Sequence, residues 1–265
     1  MQSPWLPLLY GALSGALGGL MGVGGGIILV PLLVHALHRT QHEAHGTSLA
    51  FIIAVSLVAA GSYMRFERID LPLAGLLALG AVPGVLLGAR IARAMSARRL
   101  RQAFGVLMLI TAARILAIPP RPEAAGAPWP ALLDVALGGV VGIVAGLLGV
   151  GGGVIMVPVL VLAQRIDQHT AQGISLLVIV PTAVVGAWSH ARHGHVVTRL
   201  LPALMAGGAA GAWLGAALAH RIDAPLLSRL FALFLLPVAV QMIWSPARGS
   251  ARVAGPHANQ QGGDP

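Results

Sequence analysis

Apolar residues dominate the chain in long uncharged blocks, at 1–38, 46–64, 71–89, 135–164, 171–191, 200–219 and 230–247. Short polar turns between them hold most of the charged side chains. A helix needs ~20 apolar residues to cross the ~30 Å hydrocarbon layer of a bilayer, and several blocks reach that length. The pattern predicts an all-α, polytopic helical membrane protein. About eight transmembrane segments are expected, near 5–37, 45–64, 71–94 and 100–118, then 130–163, 171–191, 199–219 and 227–245.

The eight segments are one unit written twice. Gly22–Val34 reads GVGGGIILVPLLV and Gly149–Val161 reads GVGGGVIMVPVLV, with ten of thirteen positions identical at an offset of 127. The same offset carries Gln41-His42 onto Gln168-His169, Gly46, Ser48 and Leu49 onto Gly173, Ser175 and Leu176, and Arg65 onto Arg192. It also carries Gly80, Gly84 and Gly88 onto Gly207, Gly211 and Gly215 without a gap. Small residues four apart form a flat helical stripe on which a neighbouring helix packs closely. The division is a first transmembrane repeat at 1–118, a Pro-rich extended linker at 119–130, a second repeat at 131–246 and a polar, disordered tail at 247–265.

The first segment of each repeat is too long. A continuous helix of ~34 residues measures ~50 Å, against a ~30 Å core. Glycines at 22, 24, 25 and 26 interrupt its middle, and Pro31 follows. Opening a helix in lipid strands N–H and C=O groups, so a break is tolerated where it is buried in protein or lines a wet cavity. The break creates a new helix N-terminus, whose N–H groups and dipole favour an anion. A straight broken segment keeps the two repeats parallel, whereas a re-entrant hairpin inverts them. The positive-inside rule leaves the orientation open, except that the dense cluster Arg90, Arg93, Arg98, Arg99 and Arg101 is expected in the cytoplasm.

Composition narrows the function. Charged residues make up 9% of the 265 and hydrophobic residues 57%, where a soluble domain carries roughly 25% charged. All 17 basic residues are arginine, and the formal net charge is +9. These arginines lie between apolar blocks, where they anchor loops to headgroups, so nucleic acid is not an expected partner. There is no cysteine, which excludes disulfides and thiolate chemistry. No acid–base pair, nucleophile–histidine arrangement or HExxH motif is visible, so no enzyme and no cofactor are expected.

The candidate substrate-binding residues follow from the repeat. Each half supplies a glycine break and then a Gly-x-Ser at the start of its second segment. The expected anion site therefore comprises backbone N–H groups near Gly24, Gly25, Gly26, Gly151, Gly152 and Gly153, with the hydroxyls of Thr47, Ser48 and Ser175. Gln41, His42 and Arg65, with Gln168, His169 and Arg192, are candidate pathway residues because both halves keep them. His35, His38, His42 and His45 share a face if they lie on one helix. Such spacing suits a divalent metal, which leaves a nickel- or cobalt-like permease as an alternative, although the second half keeps only His169 of the four. No resident metal site is assigned. A non-transporting membrane scaffold or partner subunit is the alternative from another class.

The doubled glycine pattern is similar to that of the TauE/SafE sulfite exporters, in the toluene sulfonate uptake permease superfamily. It runs here from Gly15 through Gly22 to Pro31 and Leu33, and again from Gly142 to Pro158 and Leu160, with GTSL at Gly46–Leu49 and GISL at Gly173–Leu176. The resemblance covers about residues 7 to 245. It implies a secondary carrier of the inner (cytoplasmic) membrane, built from two four-segment repeats, moving sulfite or an organosulfonate. The implied partners are the small anion and the bilayer, with a homo-oligomer allowed.

Overall fold

The computed structural model describes residues 5–92, 97–117, 129–148 and 152–244. Most of the linker, Gly151 of the candidate site and the 247–265 tail lie outside the described residues. The described residues contain ten α-helices and no strand: α1 (Trp5–Met21), α2 (Gly26–His35), α3 (Gln41–Phe66), α4 (Leu71–Ala92), α5 (Ala97–Ala117), α6 (Ala131–Leu148), α7 (Gly153–Ala163), α8 (Gln168–Arg192), α9 (Leu201–Ala219) and α10 (Ala224–Trp244). Five of them, α3, α4, α8, α9 with the short turn before it, and α10, are long and apolar enough to cross a membrane. Exposed apolar side chains such as Leu79 and Leu233 cover their outer surface, as a lipid-facing wall requires.

Local chemistry fixes the helix starts. Thr40 caps α3: its hydroxyl accepts from the Glu43 N–H while the Glu43 carboxylate accepts from the Thr40 N–H, a capping box. Asp167 caps α8 by accepting from the N–H groups of His169 and Thr170. The first segment of each repeat is broken at its glycines, and the break reverses the chain. A Cβ on Gly25 would overlap the carbonyl oxygen of Ser14, and one on Gly18 would overlap the Gly25 nitrogen. Residue 25 has thus returned alongside α1 instead of continuing beyond it. From there α2 runs back toward the start of α3. The predicted long first segment is a helical hairpin, so eight simple crossings give way to one hairpin and three further helices in each repeat.

The repeats are inverted. The start of α3 meets the end of α8, with Gly46 against His190 and His195, and the start of α8 meets the end of α3, with Gly173 against Tyr63 and Ile69. These two helices cross antiparallel at the centre. Around them the halves exchange partners. Helix α1 lies parallel to α9, matching Gly11, Gly15 and Gly19 with Leu204, Gly208 and Ala212. Helix α4 lies parallel to α6, matching Gly80, Gly84 and Gly88 with Val135, Gly139 and Ile143. The predicted small-residue stripes are therefore the contact surfaces between halves, and the two hydrophobic cores are each built from both repeats.

Candidate anion site at the paired glycine breaks

At the first break Gly22, Gly24 and Gly25 take φ of 69°, 75° and 76°, a left-handed conformation that costs glycine little and other residues more. The turn is tied by Val23 N–H donating to Gly18 O at 3.0 Å. Helix α2 then starts with Gly25 as its cap residue and no side-chain cap. In the second break Gly152 has φ 83° and precedes α7, again with no side-chain cap. Two helix N-termini thus begin from left-handed glycines inside the protein, each with N–H groups left for a ligand or water.

The breaks meet. A Cβ on Gly153 would lie 2.8 Å from Val23 Cα and 3.2 Å from Gly22 O. Ser175 is fully buried, and its hydroxyl has no hydrogen-bond partner. It lines a small cavity of about 10 Å³, water-sized in this state, with Gly152, Met156, Ala145 and Thr182, and no charged side chain lines it. Ser48 is the counterpart at the first break; its Oγ lies 3.5 Å from Gly26 O, a long and weak contact. Thr47 is elsewhere. Its Oγ1 accepts from the Val197 N–H at 3.0 Å, tying the loop after α8 to the start of α3, so one of its lone pairs holds the halves together.

The buried polar side chains of Ser56 and Gln172, which sequence reasoning missed, also reach the first break, and Ser14, likewise missed, meets it through its carbonyl oxygen. A Cβ on Gly24 would lie 3.0 Å from Ser56 Oγ, and Gln172 packs against Gly22. Ser14 Oγ and Ser56 Oγ are buried without partners. Gln172 meets the Tyr63 hydroxyl at 2.6 Å. Under the 127-residue offset these positions pair with Val141, Ala183 and His45. Comparing the repeats therefore hid them; a search for lone polar residues within apolar blocks would have found them.

The candidate pathway residues separate because the repeats are inverted. Gln41 and His42 are exposed at one end, where the His42 ring stacks 5.1 Å from that of His195. Gln168 and His169 are buried at the other. Gln168 accepts from Ser228 Oγ at 3.1 Å, and His169 Nε2 faces the carbonyls of Ala219 and Ile222. Arg65 and Arg192 are exposed at opposite ends, with the Arg192 guanidinium 3.7 Å over the Trp188 ring, so they do not form one entrance. The four-histidine face is not formed either. His35 ends α2 and bonds to Pro31 O, His38 sits in the turn with φ 52°, and His42 and His45 lie on α3. His42 instead gathers with His190, His193 and His195 from the other repeat. Among the described residues no three His, Asp or Glu side chains are arranged to hold a metal ion.

Comparison with known proteins agrees with this architecture. The family model for the sulfite exporter TauE/SafE matches residues 1–115 and 133–263. The chain belongs to the TauE/SafE family. It is 29% identical to the probable membrane transporter protein YunE of Bacillus subtilis, over 89% of this chain and 96% of the relative. A probable membrane transporter protein of Xylella fastidiosa is 32% identical, over 92% and 96% respectively. One from Haemophilus influenzae is 28% identical over 89% and 97%. No solved structure matches significantly. This TauE/SafE protein is a multi-pass membrane transporter.

Proposed function

We propose that this transporter is a secondary carrier of the cytoplasmic membrane that moves a small oxyanion, sulfite or an organosulfonate, and that it is not an enzyme. The anion binds where the two glycine breaks meet, near Gly24, Gly25 and Gly26 and the start of α7, within reach of Ser48 and Ser175. One observation carries this reading: two helix N-termini without side-chain caps begin at adjoining breaks in the protein interior, next to a buried hydroxyl that lacks a partner. Dipoles and hydroxyls attract an anion without the deep well a buried arginine would create, and weak binding permits release. The family name supports a sulfur oxyanion.

The test is flux into proteoliposomes of purified protein. Labelled sulfite or a small sulfonate should enter saturably and compete with unlabelled anion, while Ni²⁺ should neither enter nor compete. Saturable Ni²⁺ entry without anion flux would overturn the reading in favour of a metal permease.

A further inference from the structure

One cluster of titratable side chains lies outside the anion site. Glu67 ends α3 in the first repeat, and His220 ends α9 in the second. The His220 Nδ1 is 3.5 Å from Glu67 Oε1, and its side chain is 8% exposed. The His220 Nε2 is buried and has no hydrogen-bond partner. A ring that donates through Nδ1 to the carboxylate carries its lone pair on Nε2, which leaves a vacant proton acceptor inside the protein. Around the pair stand His169, whose ring stacks 5.5 Å away, the edge of Tyr63 at 4.7 Å and the Phe66 ring at 4.5 Å. Asp167 lies 3.6 Å from His169 Nδ1. Arg65, Arg68 and Arg221 are exposed outside the cluster.

The duplication shows that this cluster is a special provision. Offset by 127, Glu67, Asp167 and His220 correspond to Gly194, Thr40 and Arg93, so the other repeat does not supply an acid–histidine pair. The pair also bridges elements that must separate. It joins the end of α3 to the end of α9 at one mouth, and Tyr63 continues inward to Gln172, which packs on Gly22 at the first break.

We propose that Glu67 and His220 form a proton-binding site that ties the two repeats together at this mouth, so that the mouth opens when the proton leaves. The inference rests on the carrier reading in one respect, that a mouth must open. Burial raises the Glu67 carboxyl. Burial, with His169 beside it, lowers the His220 imidazole. The two titrations approach each other, and across the 3.5 Å contact a bound proton sits between the two groups. With that proton bound the groups attract across the interface. As pH rises through the pair's titration the proton is lost, and a carboxylate is left with only the long 3.5 Å contact to a neutral ring, so the attraction between opposite charges goes and the tie weakens.

The natural absence of cysteine makes a distance measurement direct. Spin labels at Leu71→Cys and Leu226→Cys report the separation of the repeats at this mouth without adding charge. With Glu67 raised and His220 lowered the titration falls between their ordinary values, so in the otherwise native protein the short-distance population should fall at least ~threefold between pH ~4.5 and pH ~7.5. Glu67→Gln and His220→Gln, each made separately, should abolish that response. A flat profile in the native background, or an unchanged response in both variants, would overturn the proposal. Sulfite added at fixed pH separates the two readings. A shift in the distance distribution with sulfite supports the site and the anion together. A pH response that Glu67→Gln removes, with no effect of sulfite or sulfonate, leaves the proton site standing and removes the anion assignment.

Discussion

Gly25→Ala is expected to abolish transport and to lower the thermal stability of the purified protein. Two costs combine at this position. With φ 76° the backbone is left-handed, which costs a non-glycine residue roughly 1–2 kcal/mol. The added Cβ would overlap the Ser14 carbonyl oxygen of α1, and backbone cannot rotate away as a side chain can. The α1–α2 hairpin must open to admit it, displacing the start of α2 where the anion is held. Neighbouring glycines separate the two costs. Gly24 has nearly the same φ, 75°, but a Cβ there would first meet side chains, Ser56 Oγ at 3.0 Å, so Gly24→Ala should lose less. Gly152→Ala falls between, because its Cβ would meet the Ala145 methyl at 2.9 Å. Wild-type stability and flux in Gly25→Ala would mean that the chain does not reverse there.

The second large effect is expected at the contact between repeats. Gly84 lies on α4 where a Cβ would overlap the Gly139 carbonyl of α6, with the Ile143 nitrogen at 3.0 Å. Leucine at that position has to push the helices apart along their whole stripe. Overpacking costs typically 1–3 kcal/mol even where side chains can adjust, and here the obstacle is main chain. Gly84→Leu should therefore leave little monodisperse protein in detergent. Gly75 provides the control on the same helix, since nothing lies within 4 Å of a Cβ there. Gly75→Ala should be neutral or stabilising by roughly 0.5–1 kcal/mol through helix propensity. Equal behaviour of the two variants in size-exclusion and thermal-melt measurements would remove the α4–α6 packing from the account.

Much of this was legible in the sequence because duplication amplifies weak signals. One glycine cluster could serve tight helix crossing, but the same cluster repeated at a constant offset marked both breaks, and the four-residue glycine spacing marked the stripes. What could not be read was direction. Whether Gly22–Gly25 kinks a helix or turns it back depends on φ at three residues and on the fit against Ser14, neither of which periodicity encodes. That single uncertainty propagated. Parallel and inverted repeats place Arg65 and Arg192, or Gln41-His42 and Gln168-His169, at the same end or at opposite ends. The repeat also misled where the halves diverge. Thr47 reads as a ligand because its hydroxyl follows a glycine at the start of the second segment, although its counterpart is Ile174, and its Oγ1 accepts from the Val197 N–H. Ser56, Gln172 and the Glu67–His220 pair have no like counterpart in the other half, so equivalence between halves gave them no weight.

The central claim is that both halves contribute to one anion site at the joined breaks. Its most direct test is the affinity of purified, correctly folded Ser48→Ala, Ser175→Ala and the double variant for sulfite, measured by equilibrium binding beside the unaltered protein. Each hydroxyl hydrogen-bonded to a charged ligand should contribute about 1.5–3 kcal/mol, or roughly ten- to a hundredfold in affinity. The account predicts losses of that size in both single variants and a larger loss in the double variant. Unchanged affinity in all three would contradict it and move the substrate away from the breaks.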